Sequence, residues 1–219
     1  MEIGNHISAV RNWILNLVRD TDDDTASATE DPAVIDRTGF DGSLDGAEVI
    51  GRSPLSYIAA SESVSPMMGK HTTHKLASYG LDDIDPDEWY PLRAPLAMLF
   101  EMREEYGEGS MQNMGQNIPE HVEFPPDIST VEEALHSIDD AYHHNHRGGE
   151  IGFYEFREEG PGEGIMVCED PYPCELDQGL IKGVAAKFAD SPVQVEEVGD
   201  RCRAEGGGRC EYRVDWIEA

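Results

Sequence analysis

Lysine is almost missing from this chain, with four residues, Lys70, Lys75, Lys182 and Lys187, in 219. Against 45 acidic side chains, the 16 basic ones leave a formal net charge of −29. That excess repels phosphate over most of the surface, which excludes general nucleic-acid binding and disfavours anionic membranes. Long apolar runs are missing too, and nothing approaches the ~18 uninterrupted apolar residues of a membrane-spanning helix. The stretch from Trp13 to Val18 is too short for a signal-peptide core, is flanked by Arg11 and Arg19, and is followed by no small-residue cleavage site. Cysteine is scarce, and Cys168, Cys174, Cys202 and Cys210 all fall in the last quarter of the chain. No Ser-His-Asp elbow, phosphate loop or dinucleotide fingerprint is present. Gly206-Gly207-Gly208 sits in a hairpin turn and not ahead of a helix, so it is no phosphate cradle.

What remains is a carboxylate-rich surface of the kind that tolerates high salt, where screening removes the self-repulsion. The sequence reads as a salt-adapted cytoplasmic protein. Residues 1–19 carry Ile3, Ile7, Val10, Ile14 and Leu17 at spacings of four and three, an amphipathic helix whose stripe favours pairing in a homodimer. Residues 20–48, opening on Asp22-Asp23-Asp24, read as an acidic flexible linker. A domain is expected over residues 49–219.

Within that domain the helical signals come first. Helices are expected over Pro54 to Ala60, Met67 to Tyr79 and Pro91 to Tyr106, followed by a short one carrying Met111, Met114 and Ile118. Another begins at the Ser129-Thr130 cap and buries Val131, Leu135, Ile138 and Tyr142. The period then turns to two. Glu150 to Glu158 and Gly164 to Cys168 form a hairpin, Leu176 to Ala189 is a helix, and Val193, Val195 and Val198 precede a closing strand from Cys210 to Trp216. This order predicts an α+β fold, a helical layer packed on a small antiparallel sheet.

The sharpest chemical signal is Cys174, Glu196, Cys202 and Cys210. Cys202 and Cys210 flank the Gly-rich turn of one hairpin, and Cys174 opens a helix whose dipole favours thiolate. Three thiolates and a carboxylate close a tetrahedral set of the structural-zinc kind, the alternative being buried or disulfide-bonded cysteines; Cys168 reads as a buried strand residue that could replace Glu196. A second cluster, Tyr142-His143-His144-Asn145-His146-Arg147, ends a helix. It either completes that helix end or gives a ligand pocket its polar edge, through His143 or His146 facing inward and Arg147 pairing an anionic group. Met98 and Met102 suit either a core or an adaptable apolar pocket. His71 and His74 are one helical turn apart with no third ligand nearby and read as packing or surface residues.

Tyr172-Pro173-Cys174, Gly179-Leu180-Ile181-Lys182-Gly183, Val195-Glu196, Cys202-Arg203-Ala204, Gly207-Gly208 and Cys210-Glu211-Tyr212 together resemble the 4-vinyl reductase-type domain. That family shares a superfamily with haem nitric-oxide sensor domains and Golgi transport subunits, and the resemblance runs from Tyr90 to Trp216. It implies a small-ligand-binding module, commonly dimeric, with a pocket between helices and sheet and zinc on Cys174, Glu196, Cys202 and Cys210. The Tyr-x-Ser-x-Arg signature of the haem sensors is missing, so haem is not expected. The function expected is therefore a non-enzymatic sensor or adaptor for an apolar or aromatic ligand. The alternatives are an enzyme or enzyme partner acting on a tetrapyrrole-like ring, or a structural dimeric scaffold.

Overall fold

The computed structural model describes residues 38–40 and 42–217. The helix expected over 1–19, and the linker as far as residue 37, lie outside the described residues. Among the described residues there are six α-helices and two antiparallel sheets, the α+β arrangement that the sequence predicts. In chain order these are β1 (Glu48–Ile50), α1 (Arg52–Val64), α2 (Pro66–Ser78), β2 (Trp89–Pro91), α3 (Arg93–Tyr106) and α4 (Glu108–Asn117). Then come α5 (Val131–Asn145), β3 (His146–Arg147), β4 (Phe153–Gly160), β5 (Glu163–Glu169), α6 (Cys174–Phe188), β6 (Gln194–Glu197) and β7 (Cys210–Asp215). None of the described helices is long and apolar enough to cross a membrane.

Local chemistry explains where these elements start and stop. Thr130 caps α5 by accepting from the Glu133 N–H, while the Glu133 side chain reaches back to the Thr130 N–H, a reciprocal capping box. Gly107, at φ 80°, ends α3 in a conformation that costs a residue with a Cβ far more. The apolar stripe of α5 buries Val131, Leu135, Ile138 and Tyr142, and that of α3 buries Leu96, Leu99 and Met102.

The larger sheet runs β4-β5-β7-β6, and the smaller runs β2-β1-β3. Inward positions of the larger sheet alternate along each strand: Tyr154 and Phe156, Met166 and Cys168, Cys210 and Tyr212 are all buried. Helix α6 packs between α4 and α5. It meets α4 backbone to backbone, because a Cβ built on Gly179 would fall 2.0 Å from the Gln112 carbonyl oxygen, and one on Gly183 would fall 2.3 Å from that of Gln116. Glycine at both positions is what permits that approach. The small sheet is the part that the sequence pattern does not predict, because strands of three and two residues are too short to show alternation.

Candidate functional site

Cys202 stands just before a short 3₁₀ turn, Cys210 opens β7, and Cys174 is the first residue of α6. Their sulfurs converge: Cys202 lies 3.0 Å from Cys210 and 3.1 Å from Cys174, and Cys210 lies 3.4 Å from Cys174. All three are buried and none is in a disulfide. Hydrogen bonds from the other two thiols, with help from the nearby Arg203 guanidinium, hold Cys210 well below the ordinary thiol range. The same contacts, first the hydrogen bonds to Cys202 and Cys210 and then burial, push Cys174 up, and Cys202 is pushed up to about 12, so one thiolate, at Cys210, is shared among three sulfurs.

The carboxylate beside it is Glu197 and not Glu196. Glu197 lies within hydrogen-bonding reach of the Cys202 thiol, and burial, followed by the charge of Cys210, raises its pKa. The reason is the period of the strand. Glu197 pairs with Tyr212 and shares the inward face of Val195, whereas Glu196 pairs with Arg213 on the outward face. Cys168 stays out of the cluster, buried on β5 directly opposite Cys210. Three thiols and a rim carboxylate match the donor chemistry of a closed zinc site.

A second buried group adjoins the first. Cys168, Asp170 and Asp177 converge, and between the two carboxylates lies Arg203, itself 1% exposed. Its Nη1 is 2.8 Å from Asp170 Oδ1, its Nη2 donates to Asp177, and its main-chain N–H points at Cys210 Sγ at 3.4 Å. Burial, and then the neighbouring Asp170, push the Asp177 carboxyl well up. The sequence gives little warning of this triad, since charged residues are ordinarily exposed.

Beyond the triad lies a set of hydrogen-bonded rings. The Tyr154 hydroxyl donates to Asp177 at 2.7 Å, and the Tyr172 N–H donates to Asp170 at 2.8 Å. His146 Nδ1 is 2.7 Å from the Tyr142 carbonyl, which can only accept, so the hydrogen is on Nδ1 and Nε2 accepts from the Tyr172 hydroxyl at 2.7 Å. Tyr57 donates to Tyr172 at 3.0 Å. Burial pushes His146 down to about 4, so it is neutral near pH 7.

Of the expected ligand residues, His146 and Tyr142 are therefore brought together in the interior, their rings 4.2 Å apart. His143 and Arg147 are not. His143 is exposed beside Asp139, and Arg147 pairs with Glu48 and lies over the Trp89 ring, so neither faces inward. Met98 and Met102 are fully buried on α3. An open cleft lined by Thr38, Phe100, Arg103, Tyr172, Cys174 and Ala204 reaches both the ring set and the thiols.

No family model matches the chain, and no curated protein matches it. Solved structures do share its fold. A single-substitution mutant of the H-NOX protein of T. tengcongensis superposes with a TM-score of 0.56 at 19% identity, over 77% of this chain and 97% of that one. The Fe(II) unliganded H-NOX protein from K. algicida gives 0.55 at 12% identity, over 76% and 97%. A structure described as modulating haem redox potential through protein-induced porphyrin distortion gives 0.55 at 18% identity, over 74% and 92%. These likenesses establish the fold. They also correct the expectation on haem, because the fold is one on which haem proteins are built and a missing signature does not set the cofactor aside. Among the described residues His146 is the buried histidine, and both its ring nitrogens are engaged. Ligation of a haem iron there would require it to release Tyr172.

Proposed function

We propose that this chain is a non-enzymatic sensor or adaptor module for a small apolar or aromatic ligand, of the 4-vinyl reductase type, stabilised by a structural zinc. The observation that carries the reading is the convergence of Cys174, Cys202 and Cys210, with Glu197 at the rim, next to a buried polar interior. Three thiolates and one carboxylate complete four-coordination and leave no position for an activated water, so the metal staples the fold. Ligand recognition falls to the ring set, with His146, Tyr142 and Tyr172 supplying polar groups among apolar walls. Elemental analysis of protein prepared without chelator should give one zinc per chain. Native mass spectrometry of protein from its own host should give a bound small molecule. A metal-free, folded protein overturns the zinc reading, and catalytic turnover overturns the non-enzymatic one.

A haem is a second reading, favoured by the fold neighbours. Titration with haemin tests it directly, since ligation through His146 shifts the Soret band and is lost in His146→Gln. Residues 1–19 supply the proposed dimer contact and residues 20–48 the proposed linker, whose last part, with Leu44 and Ala47 buried and Glu48 in β1, is packed into the domain. Deleting residues 1–19 should leave the domain folded and shift it towards monomer in light scattering.

A further inference from the structure

We propose that Arg203 is a positioning residue that carries the occupancy of the thiol site to the tyrosines and histidine of the interior. The inference rests on the metal reading above. Arg203 follows Cys202 directly, and its main-chain N–H contacts Cys210 Sγ at 3.4 Å, so whatever fixes those two sulfurs fixes the main chain of Arg203. Its side chain is buried in the fold, near enough to Cys210 for its charge to act on that sulfur. The guanidinium spans Asp170, just after β5, and Asp177, in the first turn of α6 that also carries Cys174. Each carboxylate then holds one member of the ring set: Asp177 takes the Tyr154 hydroxyl, and Asp170 takes the Tyr172 N–H. From Tyr172 the chain of hydrogen bonds continues to His146 and Tyr57.

The imperfection of this triad argues for a role beyond stapling. Asp170 Oδ2 and Arg203 Nε are buried side-chain atoms without a hydrogen-bond partner among the described residues, and Arg203 Nη1 meets Asp170 Oδ1 only as an ion pair. A buried ionic group with orphaned atoms stabilises a fold poorly, and apolar side chains of similar volume often do as well or better. What an apolar filling does not supply is a directional connection with two discrete ends. Arg203 supplies one, between a metal-binding hairpin and a ligand-binding interior. By linkage, a molecule that engages Tyr172 changes the metal affinity by the same factor as metal changes its own.

The test uses the full-length protein, with Zn²⁺ as the probe and the ring nitrogens of His146 followed by NMR. Zinc should shift the His146 signals in the unmodified protein. Arg203→Met should still take one zinc per chain, with an affinity about 10- to 100-fold weaker, as for partners one step removed from a metal, and its His146 signals should stay still. Tyr172→Phe should bind zinc with unchanged affinity and also lose the His146 response. An undiminished response in Arg203→Met overturns the proposal. Should that variant not fold, an undiminished response in Tyr172→Phe does so instead. Zinc uptake by the unmodified protein with no movement at His146 removes this inference alone, whereas no uptake removes the metal reading and the inference with it.

Discussion

The two buried polar regions of this domain are assembled in opposite ways. The thiol cluster draws two of its three sulfurs from one hairpin, eight residues apart. The ring set gathers Tyr57 from α1, His146 from the end of α5, Tyr154 from β4 and Tyr172 from the loop before α6. The first needs one turn and one helix start to be in place. The second exists only when four distant segments have docked. A local site tolerates change elsewhere in the fold, whereas the dispersed one reports on the packing of the whole domain.

The largest expected effect breaks the local region. Cys202→Ser should abolish zinc binding and leave the domain unfolded or nearly so, because structural zinc contributes on the order of 10 kcal/mol of folding free energy. Metal content and far-ultraviolet circular dichroism check it, and an unchanged melting temperature would show that the cluster staples nothing. The dispersed region should answer to pH. Burial holds His146 at about 4, below its ordinary ~6.5, so the unfolded chain takes up that proton first as pH falls. The stability tied to His146 is then fully present above pH ~6.5 and declines as pH drops to about 4, by about 3 kcal/mol. Denaturant midpoints should fall with acid across that window in the unmodified protein and lose this component in His146→Gln.

A smaller effect sharpens the boundary of the thiol site. Glu197→Gln should weaken zinc at least as much as the loss of a partner one step removed, about 10- to 100-fold, whereas Glu196→Gln should change nothing that competitive metal titration detects. Smallest of all is a response that belongs to neither region. The net charge of −29 is spread over the chain, and raising salt from 0.1 to 1 M shortens the screening length from ~10 to ~3 Å. The melting temperature should therefore climb with potassium chloride between 0.1 and 3 M, in the Glu197→Gln variant as much as in the unmodified protein.

What the sequence reveals follows the same division. Long helices with clear caps were legible, such as α5 with its Thr130–Glu133 box, and so was the hairpin that brings Cys202 to Cys210. The fourth position at the thiols slipped by one residue, although period two counted from Val195 leads to Glu197. Arg203, Asp170 and Asp177 were out of reach, because only tertiary packing makes charged residues of a turn and a helix start into one buried group. His143 and Arg147 sit at the helix end that the sequence predicts, but of the three the inward direction belongs to His146 alone. The chain reverses there, and one residue of backbone turn decides which ring is buried.

The position of β7 has a consequence for how the molecule comes to be folded. It follows every other strand in chain order, yet it is inserted between β5 and β6. Before it arrives, β6 has no neighbour in the sheet, and β5 presents a bare edge with Ile165, Met166, Val167 and Cys168. Such an edge is a template for a second chain, and the pairing that removes it must wait for contacts distant in sequence. Refolding yield should therefore fall with protein concentration during the interval before β7 docks, and the hairpin that carries Cys202 and Cys210 closes that interval.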